Sequence, residues 1–239
     1  HQKSRLFMPK AAVLNGLSVP SEPSKADVAA AVDKLWNLVS DFPFKSGKKG
    51  ADFSAWLAGL LSIIGRRLFD GPVPLHLISA NIRGSGKSNL AKLIGRIAFG
   101  YDLKASACPV NDEEMRKRIT AIAVSGLEAA LLDNLSPAGL GCASLDAALT
   151  TTTWEDRILG ESRQYSGPLL VVWFATANNP KVVGDTIRRV LPIRLDSPLE
   201  NPENRSGFTI DNILRYALAH RVELLSAALT ILLGYEIAG

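Results

Sequence analysis

Cysteine, histidine and long apolar runs are all scarce in this chain of 239 residues, and each shortage closes off a class of protein. Two cysteines, Cys108 and Cys142, cannot supply the four ligands of a structural zinc site, and the three histidines (His1, His76, His220) stand at no metal-ligand spacing. The expectation is a reduced, intracellular, cytoplasmic chain without a metal cage. The longest uncharged apolar stretches, around Trp56 to Gly65 and Leu224 to Tyr235, fall short of the roughly 18 to 20 residues of a spanning helix, so no membrane is expected as a partner. No charged leader with an apolar run opens the chain, and it begins at His1 rather than Met, as a fragment or processed chain would. Internal repeats and low-complexity tracts are missing too, while 47% hydrophobic and 21% charged residues describe a globular chain. Excess charge is also slight: 27 Lys and Arg against 23 Asp and Glu give +4, which permits an anionic partner without demanding one.

What is present is an alternation of short apolar runs with helically spaced ones. Residues 1–23, basic and interrupted by Pro20 and Pro23, read as an arm or linker. Residues 24–70 read as a helical cover. Ser24 and Asp27 make a capping box ahead of Val28, Ala31, Val32, Leu35, Trp36 and Val39 at helical spacing. Phe42-Pro43-Phe44 ends that helix, and Lys45, Lys48 and Lys49 mark a solvated basic loop. A second helix, capped by Asp52, carries Phe53, Trp56, Leu57, Leu60, Leu61, Ile64 and Leu68 along one face. Residues 71–200 read as an α/β core with five candidate strands: Val73 to Ser79, Leu103 to Cys108, Leu127 to Leu132, Leu169 to Thr176 and Val190 to Leu195. Helices fall between them at Asn89 to Phe99, at Asn111 to Val124 behind an Asn111/Glu114 cap, and near Ser144 to Thr150. Residues 152–166 read as a hairpin inserted before the fourth strand, with Gly160 near its middle. Residues 201–239 read as a helical segment in which the spacing is helical from Phe208 to Leu233, with Asp211 near the start and Gly234 near the end.

The strongest motif is Asn81-Ile-Arg-Gly84-Ser85-Gly86-Lys87-Ser88-Asn89, placed directly after an apolar strand and directly before a helix. Glycine-rich backbone N–H groups at a helix N-terminus cradle phosphates, Lys87 is placed to reach the β and γ phosphates of ATP, and the Ser88 hydroxyl to bind Mg2+. Asn81 stands where the pattern has its first glycine, and asparagine tolerates a left-handed backbone better than most residues. A second carboxylate-bearing strand is needed to hold the metal, and the run from Leu127 to Leu132 ends in Asp133. Asn134 follows where many ATPases have a water-activating glutamate, leaving Glu128, Glu155 and Glu161 as weak candidates for the base. A further strand runs into Asn178 and Asn179, either of which can orient an attacking water, Asn178 fitting best. Arg188 and Arg189 precede the last strand, and a permanently ionised guanidinium suits a developing phosphoryl charge.

Taken in order, Gly86-Lys87-Ser88, Asp133, Thr176-Ala-Asn178 and Arg189 resemble the Walker A, Walker B, sensor 1 and arginine-finger series of AAA+ ATPases. The resemblance implies an AAA+ (ASCE) P-loop NTPase whose five-stranded parallel sheet has the order 5-1-4-3-2, with an N-terminal helical cover and C-terminal helices. More closely, Asp41-Phe-Pro-Phe44, Arg66-Arg67, Pro74 to Ser88, Leu132-Asp133-Asn134, Thr153 to Gly160 and Gly184 to Arg194 look like the ATPase part of phage and mobile-element primase-helicases, similar to superfamily 3, over roughly residues 30–235. That implies a homo-oligomeric ring, hexameric in kind, acting on single-stranded DNA in a bacterial or phage-infected cell, with a primase region outside this chain. In that group a hairpin before the sensor 1 strand grips DNA, which gives Arg157 and Arg163 a phosphate-contacting role. Asn81 and Asn134 depart from the family pattern, and no primase-like region lies within the chain. The competing readings are a AAA+ assembly module that acts on a protein partner, and a monomeric P-loop kinase, which would leave the spacing of Asn178 and Arg189 unexplained.

Overall fold

Five parallel strands, β1 (Leu75–Ala80), β2 (Ala105–Ala107), β3 (Ala129–Asp133), β6 (Val172–Asn178) and β7 (Val190–Leu195), pair in the order β2-β3-β6-β1-β7. A separate antiparallel hairpin, β4 (Thr153–Arg157) with β5 (Gln164–Pro168), occupies the predicted insertion. The computed structural model describes residues 14–68, 70–109, 111–133, 135 and 139–238. Parallel strands need long crossovers, and these are supplied by α3 (Lys87–Ala98), α4 (Asp112–Ser125) and α5 (Ala143–Ala148).

Alternation along the strands divides the core between the two faces of the sheet. Ile78 and Ala80 of β1 join α1 (Lys25–Val39), α2 (Ala51–Ile64), α3 and α7 (Arg221–Ala238) on one side, while Leu75 and Leu77 join α4 and α5 on the other. Each fully buried leucine or isoleucine is worth about 1.5–3 kcal/mol, and Leu35, Leu60, Leu90, Leu93, Ile94 and Ile97 are all at 0% exposure on the first side. Trp56, also fully buried, ties α2 to α3 by donating its indole N–H to the Leu90 carbonyl at 3.1 Å.

Helix starts follow the caps. Ser24 and Asp27 make the predicted capping box, and the Asn111 side chain accepts from the Glu114 N–H at 2.9 Å. The second helix differs. Its N-cap is Gly50, and Asp52 lies inside the first turn, where its buried carboxylate accepts from the N–H groups of Ser46 and Arg194, both at 2.8 Å. Ser46 returns a hydroxyl to the Asp52 N–H, so the aspartate predicted as a cap instead pins β7 to the loop before α2. That helix also ends at Ile64, leaving Leu68 73% exposed rather than on the buried face.

Strand bounds shift for reasons of hydrogen bonding. β1 begins at Leu75 because Pro72 and Pro74 have no N–H to give a ladder, and it runs on to Ala80. β6 extends to Asn178, two residues beyond its predicted end, paired there with Ala80. β7 has the predicted bounds. The helical spacing expected from Phe208 to Leu233 is realised as two helices: α6 (Ile213–Ala219) and α7 meet at His220 with a 77° bend. Arg221 at the break donates to the carbonyls of Ile97 and Ala98, satisfying the C-terminus of α3. Gly234 lies within α7, where a Cβ would come within 2.4 Å of Val28 Cγ2. Close packing against α1, not helix termination, therefore requires the glycine. Among the described residues no single helix is long and apolar enough to cross a membrane.

Candidate phosphate-binding site

The C-terminal ends of β1, β3 and β6 bring the candidate residues to one edge of the sheet. The chain leaves β1 at Ala80, turns through residues 81–86, and enters α3 at Lys87. Two left-handed glycines make that turn, Gly84 at φ +78° and Gly86 at φ +91°, a region that side chains with a Cβ rarely occupy. Gly86 is the N-cap of α3 and brings no side chain to cap it. The N-terminal turn of α3, with the positive end of its dipole, is thus left for an anion. Ser85 is buried and folds its hydroxyl back onto the Ile82 carbonyl at 2.8 Å, stiffening the loop from within, while Ser88 and Asn89 are exposed at the first turn.

Lys87 projects across the edge and donates to Asn178 Oδ1 at 2.6 Å. Partial burial pulls its ammonium below the ordinary lysine value, Asp133 opposes that fall, and Arg83 adds to it. Asp133 ends β3, and its carboxylate accepts the hydroxyl proton of Thr176 on the adjacent β6. Lys87, Ser88, Asp133 and Asn178 therefore converge from three elements. Thr176 is part of the sequence motif without a role of its own; its place two residues before Asn178, on the same face of β6, is the available signal.

Asn81 departs from the expected behaviour. It does not adopt a left-handed backbone; that conformation falls to Asn179, at φ +42°. Instead the Asn81 side chain donates to the Ser197 carbonyl at 2.9 Å and accepts from the Ser197 N–H at 3.0 Å, while the Asn179 amide donates to the Asn81 carbonyl at 3.1 Å. The residue in the first-glycine position thus fastens the loop to the chain beyond β7, a long-range bond with no local signature.

The base candidates are dispersed. Glu128 precedes β3 and lies 3.4 Å from Arg67; the rise of the strand puts it roughly 16 Å from Asp133, at the opposite edge of the sheet. Glu155 accepts from Gln164 on the outer face of the hairpin, and Glu161 pairs with Arg163 at 2.6 Å. None of the three joins the converging cluster. Asn134 lies outside the described residues.

Arg188 and Arg189 end a 3-10 helix, Gly184–Arg189, leading into β7. Arg189 turns back, donating to the Asp185 carbonyl at 2.7 Å and lying 3.6 Å from Asp146 of α5. Asp146 also accepts from the fully buried Thr186 at 2.6 Å, which anchors the turn. Arg188 is exposed. On the hairpin, Trp154 donates to Thr120 at 2.9 Å and Asp156 accepts from Thr120 at 2.6 Å and Arg116 at 3.1 Å, so the inner face is fixed to α4. The outer face carries Arg157 exposed, Arg163 held by Glu161, and Leu159 77% exposed at the tip.

A cavity of about 470 Å³ adjoins the loop, bounded by Gly84, Ser85 and Gly86 on one side and by Phe42, Leu199, Phe208 and Ile210 on the other. In the sequence Asp41 stands out only as part of a resemblance, and Phe42 otherwise only as the end of the first helix. Here the Phe42 ring packs on Gly86 so closely that a Cβ there would come within 2.7 Å of it.

No protein-family model matches the sequence, and no curated protein does. Among solved structures, the chain is similar to the C-terminal region of NrS-1 in its apo form (12% identity, TM-score 0.49, 93% of this chain and 48% of that one). It is also similar to the JCV helicase bound to a thiazolopyridine acetamide (14% identity, TM-score 0.41, 87% of this chain and 61% of that one) and to the JCV helicase alone (13% identity, TM-score 0.39, 88% and 61%). The chain spans between half and three-fifths of the length of these structures.

Proposed function

We propose that this chain is a AAA+ P-loop ATPase that binds ATP with Mg2+, hydrolyses it at subunit interfaces of a ring, and acts as the motor of a DNA helicase in phage or mobile-element replication. The observation that carries the reading is the convergence of Lys87, Ser88, Asp133 and Asn178 beside an uncapped helix N-terminus behind two left-handed glycines. Further support comes from the sheet: counted without the hairpin strands, β7-β1-β6-β3-β2 is the order 5-1-4-3-2.

Catalysis at such a site is positioning and charge stabilisation more than covalent chemistry. The residues fit the group: Ser88 and Asp133 would hold a magnesium ion, which would supply positive charge against that of the phosphates. Lys87 offers its ammonium to the transferring phosphoryl group, and Asn178, already within hydrogen-bonding reach of it, orients water. Thr176 fixes the Asp133 carboxylate. The arginine supplied to a neighbouring copy would come from the turn at 188–189. Arg188 faces outward, whereas Arg189 would have to leave Asp146 and Asp185. Arg157 and Arg163 on the hairpin are the residues proposed for single-stranded DNA.

The test compares ATP binding and turnover in Arg188→Ala and Arg189→Ala. Loss of turnover with ATP binding retained in either variant supports a donated arginine; parallel loss of both activities in both variants contradicts it. The second reading, a nucleotide-dependent assembly module that acts on a protein without moving along DNA, is favoured by Asn134 following Asp133. DNA that neither binds in a salt-dependent way nor stimulates turnover would promote that reading.

A further inference from the structure

Residues 197–211 cross the mouth of the phosphate loop and are tied down on both sides of it. At one end stands the two-way amide bond between Asn81 and Ser197. At the other, Asp41 accepts from four donors: Arg205 Nη1 on its carbonyl, and Arg205 Nη2, the Thr209 N–H (2.7 Å) and the Thr209 hydroxyl (3.3 Å) on its carboxylate. The Arg205 guanidinium also lies 4.9 Å over the Phe208 ring. Between these fastenings the strap touches the loop through Glu203. A Cβ built on Gly84 would lie 2.4 Å from Glu203 Oε2 and 3.1 Å from the Glu203 N atom, so both the carboxylate and the backbone of the strap rest on the glycine. Glu203 has no ion-pair partner among the described residues. A carboxylate lying on a loop suited to anions competes with a phosphate for that loop, and no cation of the strap pairs with it.

We propose that in the nucleotide-free protein Glu203 closes on the phosphate loop as an internal anion, and that the β phosphate of an incoming nucleoside diphosphate or triphosphate displaces it and lifts the strap. The proposal rests on the phosphate-site reading above and adds a regulation to it. Nucleotide occupancy is thereby transmitted to residues 197–211, and through the Asp41 latch to the segment between α1 and α2. Repulsion between the carboxylate and the phosphates opposes binding, so a neutral isostere should bind more tightly. Two charges several ångströms apart near a wet surface interact weakly enough that about a threefold to tenfold gain is expected, and salt should erode it.

The experiment is calorimetric titration of the whole chain with ADP and, separately, with adenosine, in the wild type, Glu203→Gln and Lys87→Ala, at two salt concentrations. The proposal expects ADP to bind Glu203→Gln about three to ten times more tightly than wild type at low salt, the gain shrinking at high salt, and adenosine to bind both alike. Equal ADP affinity in the two proteins, with Lys87→Ala weakened, overturns the strap and leaves the phosphate site standing. An equal gain for adenosine overturns it as well, since the effect would then not be one of phosphate charge. If Lys87→Ala binds ADP as the wild type does, or no variant binds ADP, the phosphate site falls and the strap with it.

Discussion

The phosphate-loop edge and the hairpin, the two regions proposed to meet anions, are built on opposite plans. At the edge the candidate side chains are held in place: Lys87 by Asn178, Asp133 by Thr176, Asn81 by the backbone of Ser197. On the hairpin the inner residues Trp154 and Asp156 bond to α4 and hold the hairpin there, while Arg157 and the Leu159 tip face solvent. A site that positions a small anion needs its groups fixed before the ligand arrives. A surface that tracks a long, irregular polyanion needs a fixed base and adaptable tips. The contrast implies that substitutions at the edge change turnover steeply, and that those at the hairpin tip change DNA affinity gradually.

The largest effect expected is at Lys87. Lys87→Ala should lower ATP turnover by about 1,000-fold or more, with the fold intact by circular dichroism, because the Lys87 ammonium is the charge held between the loop and Asn178, where the transferring group would lie. Wild-type turnover in that variant would erase the distinction between the two regions.

Acid provides the next test, through the strand that carries the loop. His76 of β1 is fully buried, stacked on Phe174 at 5.2 Å, and burial pushes its imidazole down to about 4, against a weaker upward pull from the Ala55 backbone. The unfolded chain takes up this proton near the ordinary histidine value of 6.5 and the folded chain only near 4, so stability is fully present above pH 6.5. It should decline through the window down to about pH 4, by about 1.4 kcal/mol per pH unit and about 3 kcal/mol in all from this residue. Denaturant melts of wild type and His76→Leu across that window should differ in slope; parallel curves would contradict the assignment.

Smaller effects belong to the hairpin. Asp156→Ala removes the acceptor shared by Thr120 and Arg116 and should cost about 1–3 kcal/mol of stability, read as a lower thermal midpoint, with DNA-free turnover retained. Smaller still, Arg157→Ala with Arg163→Ala should weaken single-stranded DNA binding several-fold and reduce the slope of log affinity against log salt by about 1.4. An unchanged slope would remove the hairpin from the nucleic-acid surface.

Legibility in the sequence followed locality. Gly86-Lys87-Ser88 could be read because a glycine-rich turn and a helix start are written in consecutive residues. Asp133 could be assigned from its place at a strand end, whereas its partner Thr176 needed the pairing of β3 with β6. Asp52 was misread because its position suits a cap, and its actual partners, Ser46 and Arg194, include one 142 residues away. The same distance effect hid Asn81 with Ser197 and Asp41 with Arg205, whose separations are 116 and 164 residues. The break between α6 and α7 was hidden for another reason: helical spacing continues through His220, and the bend is set by packing of α6 on α3 and of α7 on α1.

The most direct measurement is steady-state ATP hydrolysis by the purified chain across a protein concentration series, with and without single-stranded DNA, in wild type and Lys87→Ala. The account predicts specific activity that rises with concentration, is stimulated by DNA at low salt, and is absent in the variant. Turnover that is independent of concentration and equal in the two proteins would contradict it.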